Sequence, residues 1–401
     1  MSGSSLAQYP KQQHVDFKQY TSPFNPFNSW KFMFHADRVW KILSWLKGDS
    51  KELPPPVYVT IDPTDVCNHA CFFCISKDIQ ESDNTSLKKD LLVSLATVLH
   101  QFTFSSSGKS YGVNAIVLAG GGEPLANVHT EELINKLAFY RANGGAEFSI
   151  ISNGELLNES VSKILVEHAT WAGFSVDAGN SVSHKAMHVP KKKNSDVFET
   201  VIDNIRRLSQ IRNASSRKPR LNIGYKFLIH PKNYESIVEG TVLAKNIGCD
   251  EIQFRPVYVD DAEQVMPAIV EQAQNSIMEA RRMCEDRSFT VHGVMHKFGA
   301  NWLPTHDFGS CTMTPLGLIF SADGNMYLCC DRRGDPKLKL GLWHDGKTAR
   351  LDYIQNLWGS DKHRWLINQI KTSECPRCSF YFYNKAATEA FKEDSMNRNF
   401  L

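Results

Sequence analysis

Apolar, β-branched runs recur through the middle of the chain at 57–62 (VYVTID), 115–119 (AIVLA), 147–152 (EFSIIS), 173–177 (GFSVD), 222–229 (NIGYKFLI) and 251–257 (EIQFRPV). Segments of helical periodicity separate them. Strands alternating with helices predict parallel βα units, and repeated right-handed crossovers build either a barrel or an open doubly wound sheet. Successive strand residues face opposite sides, and here one parity is polar: Tyr58, Thr60 and Asp62; Ser175 and Asp177; Lys226 and His230; Glu251, Gln253 and Arg255. A sheet buried on both faces reads as nearly continuous hydrophobics. The polar parity therefore predicts a barrel with a ligand-filled lumen, although frayed strand ends would also place polar groups there.

The flanks read differently. Residues 31–47 (KFMFHADRVWKILSWLK) carry apolar positions at near-helical spacing and predict a helix packed on the main body, and prolines at 54–56 mark a boundary. After about residue 260 the alternation stops. Residues 262–286 read as one long helix, and from Cys311 a hairpin-like stretch (GLIFSADGNMYLCCD) carries an Asp323-Gly324 turn signal. The expected organisation is an N-terminal helical extension (1–54), an α/β partial (β/α)6 TIM-like barrel (55–260), a linking helix and strand (261–310) and a small C-terminal α+β unit (311–401).

A chain of 401 residues with 42% hydrophobic content can bury a sizeable core. Its 45 basic and 43 acidic residues nearly cancel to +2, which gives no global pull towards nucleic acid or an acidic membrane. The Lys191-Lys192-Lys193 run is the local exception, either a phosphate contact or a solvated loop. No stretch approaches the roughly 20 apolar residues that span a bilayer, and the first residues lack a basic region followed by an apolar run. A cytoplasmic protein with no membrane or nucleic-acid partner is expected. Most of the ten cysteines fall into two tight groups of metal-ligand type, which argues for reduced thiols rather than a disulfide framework.

The first group, Cys67-Asn-His-Ala-Cys71-Phe-Phe-Cys74, follows the first predicted strand. Three thiolates on a four-iron cluster leave one iron open to a cofactor. A closed zinc site instead needs a fourth ligand, for which His69 is the local choice. The CxxxCxxC spacing, with an aromatic before its last cysteine, resembles that of the radical S-adenosylmethionine superfamily. Gly121-Gly122-Glu123-Pro124 after the second strand resembles that family's GGEP motif, and Ser152-Asn153-Gly154 its TNG-like segment. The resemblance covers residues 55–260. It implies that Cys67, Cys71 and Cys74 hold a [4Fe-4S] cluster, that the GGEP segment receives the cofactor's methionine ammonium, that Phe73 packs on its adenine, and that Ser175 and Asp177 lie where ribose contacts fall. It also implies an external electron donor such as flavodoxin or ferredoxin.

Cys311, Cys329, Cys375 and Cys378 form the second group, suited by residue type to structural zinc or to a fully ligated cluster. This pattern resembles the twitch subdomain, a shortened relative of SPASM, with spacing nearest that of the 2-deoxy-scyllo-inosamine dehydrogenases; the resemblance implies an auxiliary [4Fe-4S] cluster. Cys330, beside Cys329, is a rival ligand, a hydrogen donor to a substrate radical, or simply buried. Lys226, Arg255, Gln253 and Asp177 are the lumen candidates for holding or deprotonating a substrate. The expected reaction is dehydrogenation of an alcohol on a sugar, nucleotide sugar or aminocyclitol. The competing readings are a radical epimerase using Cys330, a peptide-modifying enzyme, and a zinc-stabilised binding module without catalysis.

Overall fold

A computed structural model describes residues 31–82, 84–192 and 197–390. The first thirty residues of the N-terminal extension, Lys193 of the triple-lysine run and the last eleven residues of the C-terminal unit lie outside them. In chain order the elements are α1 (Ala36–Lys47), β1 (Tyr58–Ile61), α2 (Lys77–Ser82), α3 (Lys89–Gln101), β2 (Thr103–Ser106), β3 (Lys109–Gly112), β4 (Ala115–Leu118), α4 (Thr130–Ala142) and β5 (Glu147–Ser152). There follow α5 (Glu159–His168), β6 (Trp171–Ser175), α6 (Ser181–Met187), α7 (Phe198–Ala214), β7 (Asn222–Ile229), α8 (Ile237–Asn246), β8 (Glu251–Pro256), α9 (Ala262–Val265), α10 (Val270–Cys284) and β9 (Thr290–Gly293). The C-terminal part supplies β10 (Gly317–Phe320), β11 (Asn325–Tyr327), β12 (Lys339–Leu342), α11 (Leu351–Leu357), α12 (Asp361–Asn368) and α13 (Tyr381–Ala390).

The six expected strands are adjacent and parallel in the order β1-β4-β5-β6-β7-β8, the core of a partial TIM barrel. Their register sorts the side chains as the alternation predicts. One face carries Ile61, Leu118, Ile150, Phe174, Phe227 and Phe254, all fully buried, beneath helices such as α4 and α8. The other carries Tyr58, Thr60, Trp171, Ser175, Lys226, Glu251, Gln253 and Arg255, and this is the lumen.

Trp171 makes the lumen's floor. A Cβ on Gly173 would stand 2.2 Å from its ring, and one on Gly224 would stand 2.9 Å from its Nε1, so only glycine lets the indole lie flat across both strands. The ring is pinned by its Nε1–H to Glu251 (3.2 Å) and lies 4.8 Å below the Lys226 ammonium.

Two departures from the sequence reading concern the ends of the barrel. The segment expected as one long helix is interrupted, because Pro267 lacks the N–H a continuous helix needs; a single 3-10 turn (Pro267–Ile269) separates α9 from α10. The hairpin β10–β11 forms at the expected Asp323-Gly324 turn, yet β10 also pairs in parallel with β1 over four residues. The C-terminal part and the strand β9 thus extend the barrel sheet on both sides into one of ten strands.

Candidate active site

The cysteine loop leaves the C-terminal end of β1 and is clasped by two neighbouring strand ends. Gly122 donates its N–H to Thr64 O and Glu123 its N–H to Val66 O, both at 2.9 Å, so the GGEP segment lies along the approach to Cys67. The approach is too close for any side chain: a Cβ on Gly122 would sit 2.1 Å from Val66 O, and one on Gly121 would sit 2.2 Å from the Asp65 carboxylate. Pro124 opens the following 3-10 turn (Pro124–Ala126).

Glu123 joins this segment to the next strand. Its buried carboxylate accepts the Ser152 hydroxyl (2.8 Å), the Asn153 N–H (2.7 Å) and the Leu125 N–H (3.1 Å). Burial raises its pKa while these donors oppose the rise. Asn153 in turn donates to Asn68 Oδ1 (2.8 Å), and Asn68 donates to Glu155 (2.6 Å), closing a circuit from the Ser-Asn-Gly turn back to the cysteine loop. The carboxylate assigned by resemblance to the cofactor's ammonium is therefore occupied by three protein donors, and the Ser152 hydroxyl is spent on Glu123.

Each sulfur of the loop meets a nitrogen. Cys67 Sγ accepts from the His69 backbone N–H (3.4 Å), Cys74 Sγ accepts from Gln80 Nε2 on α2 (3.5 Å), and Cys71 Sγ lies 3.2 Å from His188 Nδ1. Gln80 also donates to Gly121 O at 2.5 Å, tying the last cysteine to the GGEP segment. The other nitrogen of His188 contacts Asp177 (2.8 Å), whose second oxygen accepts the Leu228 N–H (2.6 Å). Burial favours neutral groups here, but the mutual attraction of thiolate, imidazolium and carboxylate outweighs it, holding Cys71 down at about 6 and His188 up at about 10. Cys67 has no such partner, and burial pushes its thiol up to about 12.

Among the described residues, one trio of candidate ligand atoms converges within 4.8 Å, and it is His69, Cys71 and His188 rather than the three thiols. A single tetrahedral zinc would draw its sulfurs to roughly 3.8 Å of one another, given Zn–S bonds near 2.3 Å. The three thiols are spread more widely, as a multi-iron group spanning the loop requires. His69, the residue that would complete a zinc set, contacts Glu155 through Nε2 (2.7 Å). The residues thus fit an iron–sulfur cluster: three sulfurs each beside a nitrogen, and no fourth cysteine in the loop.

Comparison with known proteins agrees, since residues 61–214 match the Radical SAM superfamily. This part of the chain is a radical SAM domain. Such domains use a [4Fe-4S] cluster and S-adenosylmethionine. A probable GTP 3′,8-cyclase of Saccharolobus islandicus (strain M.14.25 / Kamchatka #1) is 26% identical over 189 residues, 47% of this chain and 53% of the relative. Its counterpart in Metallosphaera sedula is 29% identical over 203 residues, 48% of this chain and 54% of the relative. The chain thus spans about half the length of the curated relatives it matches. Among solved structures, Streptococcus suis SuiB bound to the precursor peptide SuiA covers 91% of this chain and 76% of its own, with a TM-score of 0.56 and 14% identity. Native anSMEcpe with bound AdoMet covers 78% and 83%, with a TM-score of 0.54 and 17% identity. At these identities the likeness is one of fold.

The remaining expected residues fall in two places around the radical SAM domain. Phe73 stands edge-on to His188 with ring centroids 5.6 Å apart, on the cysteine loop. Ser175 and Lys226 are register partners on the lumen wall, with Gln253 next in the row and Arg255 one row nearer the cysteine end. Asp177 is fully buried in a left-handed backbone conformation (φ 53°), and its oxygens serve His188 and β7 rather than the lumen. Burial, reinforced by Arg255, holds Lys226 well below the usual lysine range.

The second cysteine group gathers at the lumen's other side. Asn384 of α13 donates to Cys311 Sγ (3.6 Å), and burial raises Cys311 to about 12. Cys311, Cys375 and Cys378 are electrostatic neighbours, and Cys311 also bears on Cys329. Cys329 and Cys330 both bear on Tyr58 of β1, and Cys330 also bears on Arg255 of β8. Between them Asp331 is buried, holding Arg377 Nε (2.8 Å) and the Ser379 N–H (2.6 Å). The sequence pattern did not single out His188, Gln80, Glu155, Trp171, Asp331 or Arg377; each is recruited by a contact far along the chain. No helix among the described residues is long and apolar enough to cross a membrane.

Proposed function

We propose that this enzyme removes a hydrogen atom from a polar, hydroxylated small molecule bound in the lumen, and that the product is the dehydrogenated alcohol. The observation that carries the reading is the lumen wall itself: Ser175, Lys226, Gln253 and Arg255 face inward in register above a tryptophan floor. When bound, the cluster and S-adenosylmethionine supply a 5′-deoxyadenosyl radical able to take hydrogen from carbon. The chain's own residues do the rest. Glu123, Asn153 and Asn68 hold the two strand-end loops against the cysteine loop, while Trp171 closes the barrel below the substrate.

Loss of two hydrogens from a carbinol takes one as an atom from carbon and one as a proton from oxygen. Lys226, whose pKa burial and Arg255 push well below the usual lysine range, is the group proposed to accept that proton. The electron left over passes to a carrier of the flavodoxin or ferredoxin kind, the class that also supplies the electron for cofactor cleavage. A nucleotide in the names of the curated relatives accords with a small hydroxylated substrate rather than a peptide. Cys311, Cys329, Cys375 and Cys378 are assigned to an auxiliary cluster; the electrostatic pairing of Cys329 with Cys311 supports Cys329 over Cys330 as the ligand.

The bearing of Cys330 on lumen residue Arg255 supports a second reading, in which its thiol returns hydrogen to the opposite face and the product is an epimer. Anaerobic turnover of candidate metabolites in deuterated water, read by mass spectrometry, separates the two. A product lighter by two hydrogens supports dehydrogenation, and one carrying a single added deuterium supports epimerisation. Failure of the reduced protein to form 5′-deoxyadenosine would overturn both.

A further inference from the structure

We propose that Arg333 is a positioning residue for the cofactor site: paired with the buried carboxylate of Asp62, it lets the C-terminal cysteine unit hold the GGEP segment and the cysteine loop in place. The proposal goes beyond the reaction assigned above and depends on the radical SAM domain alone, whatever the substrate.

Asp62 follows β1 on the inward parity and is completely buried. The C-terminal unit grips it twice. Its backbone N–H donates to Phe320 O of β10 (2.9 Å), and its carboxylate lies 3.3 Å from Nη1 of Arg333, 271 positions away. Arg333 is aimed by its own turn, since its Nε donates to Cys330 O (3.2 Å). Oδ2 of Asp62 has no hydrogen bond, and among the described residues Arg333 is its ion-pair partner. Burial pushes the Asp62 pKa up, while Arg333 and the Gly121 N–H of the GGEP segment oppose the rise.

The same turn reaches the cysteine loop by a second route. Gly334, next to Arg333, has a left-handed backbone (φ 78°), and a Cβ there would stand 2.9 Å from Ile79 Cδ1. Ile79 belongs to α2 and also faces Gly121, whose imagined Cβ lies 3.6 Å from Ile79 Cγ2. Gln80, its neighbour, donates to Cys74 Sγ and to Gly121 O. One turn thus makes a polar contact through Arg333 and an apolar one through Gly334, and both lead to Gly121 and the helix that serves Cys74.

This turn is itself anchored. Asp331, two residues before Arg333, accepts Arg377 Nε (2.8 Å) and the Ser379 N–H (2.6 Å) from the terminal Cys-Pro-Arg-Cys region. Removing one partner of a buried ion pair leaves an uncompensated charge. Without Arg333 the Asp62 carboxylate must take up a proton or turn away, and either change loosens its hold on Gly121. The effect therefore falls on the strand-end loop that bounds the cofactor.

The full chain is reconstituted anaerobically with iron and sulfide, and S-adenosylmethionine affinity is measured by equilibrium dialysis for the wild type, Arg333→Met, Arg333→Lys and Lys337→Met. Iron content and cluster absorbance are read on every sample. At wild-type iron content Arg333→Met should bind the cofactor about tenfold or more weakly. Arg333→Lys should recover part of that loss by keeping the cation, and Lys337→Met, at the exposed Glu374 pair, should match the wild type. Electron paramagnetic resonance of the reduced protein should follow the same order: the change in cluster signal on adding S-adenosylmethionine should need correspondingly more cofactor in Arg333→Met. Wild-type affinity in iron-loaded Arg333→Met would overturn the proposal, as would equal losses in Arg333→Met and Arg333→Lys. If Arg333→Met fails to load iron, the double variant Asp62→Asn/Arg333→Met decides, because it removes the stranded charge. Recovery of iron loading and of the unfolding midpoint relative to Arg333→Met supports the pair, and no recovery overturns it.

Discussion

Glu123 and His188 show how single side chains prepare this site before any cofactor arrives. Glu123 has three donors on a buried carboxylate, so Glu123→Gln turns part of the acceptor into an N–H facing other N–H and O–H groups. Thermal or denaturant unfolding should report a loss of about 1–3 kcal/mol, and S-adenosylmethionine cleavage should fall with it; a variant of unchanged stability would show the carboxylate to be free. With Cys71 as a cluster ligand, His188 would act on the cluster's electronics, since an N–H donor beside a ligating sulfur stabilises the reduced, more negative state. His188→Phe should lower the cluster's midpoint potential, by about 59 mV for each tenfold in the equilibrium, in an electron paramagnetic resonance redox titration; an unmoved potential would remove His188 from that role. Lys297 sets a pH dependence. Its neighbours are His296, Arg255, Arg377, Asp331 and Cys378. In the folded protein burial and Arg255 lower Lys297 to about 8. The unfolded chain binds the Lys297 proton up to about 10.5, so this residue's contribution to stability improves with rising pH between about 8 and 10.5.

Elements are set against one another by residues that are absent as much as by those present. Gly122 lies 2.1 Å, at its imagined Cβ, from a backbone oxygen that cannot swing away. Gly122→Ala should therefore displace the cysteine loop and cost about 1–3 kcal/mol, seen as reduced iron occupancy together with a lowered unfolding midpoint; full iron loading at wild-type stability would contradict this. The Gly122 signal was legible in the sequence as a motif. Its partner was not, because Val66 O is named by the path of the chain and not by any side chain. The same holds at the barrel floor. Trp171 precedes the expected fourth-strand run, and nothing in its neighbourhood marks it as a plug until Gly173 and Gly224 are seen beneath it. Pro267 is the converse: its missing N–H is a property of that residue alone, yet the sequence reading ran one helix through it, and the structure breaks there between α9 and α10.

For the whole molecule the telling contact is β10 on β1. A small cysteine-bearing unit appended to a barrel would leave β1 as an edge, whereas here residues 58–61 are paired on both sides. A chain ending after residue 310 should expose that edge and aggregate; a monomeric fragment that unfolds cooperatively, judged by size-exclusion chromatography and denaturant titration, would show the barrel to be independent. This union also brings Asp331, Arg377 and Cys330 to the lumen. The sequence by itself determined the six strands, the polar parity that faces inward and the three-thiol loop with its two glycine-rich companions, because periodicity and motif spacing are local properties of a chain. Tertiary structure alone decided which carboxylates remain free. Asp177 and Glu123 each meet backbone N–H groups, and a serine hydroxyl and His188 complete their contacts. A buried carboxylate takes whichever donors the fold brings near, and Ser152, Asn153 and Leu228 lie tens of residues from the carboxylates they serve.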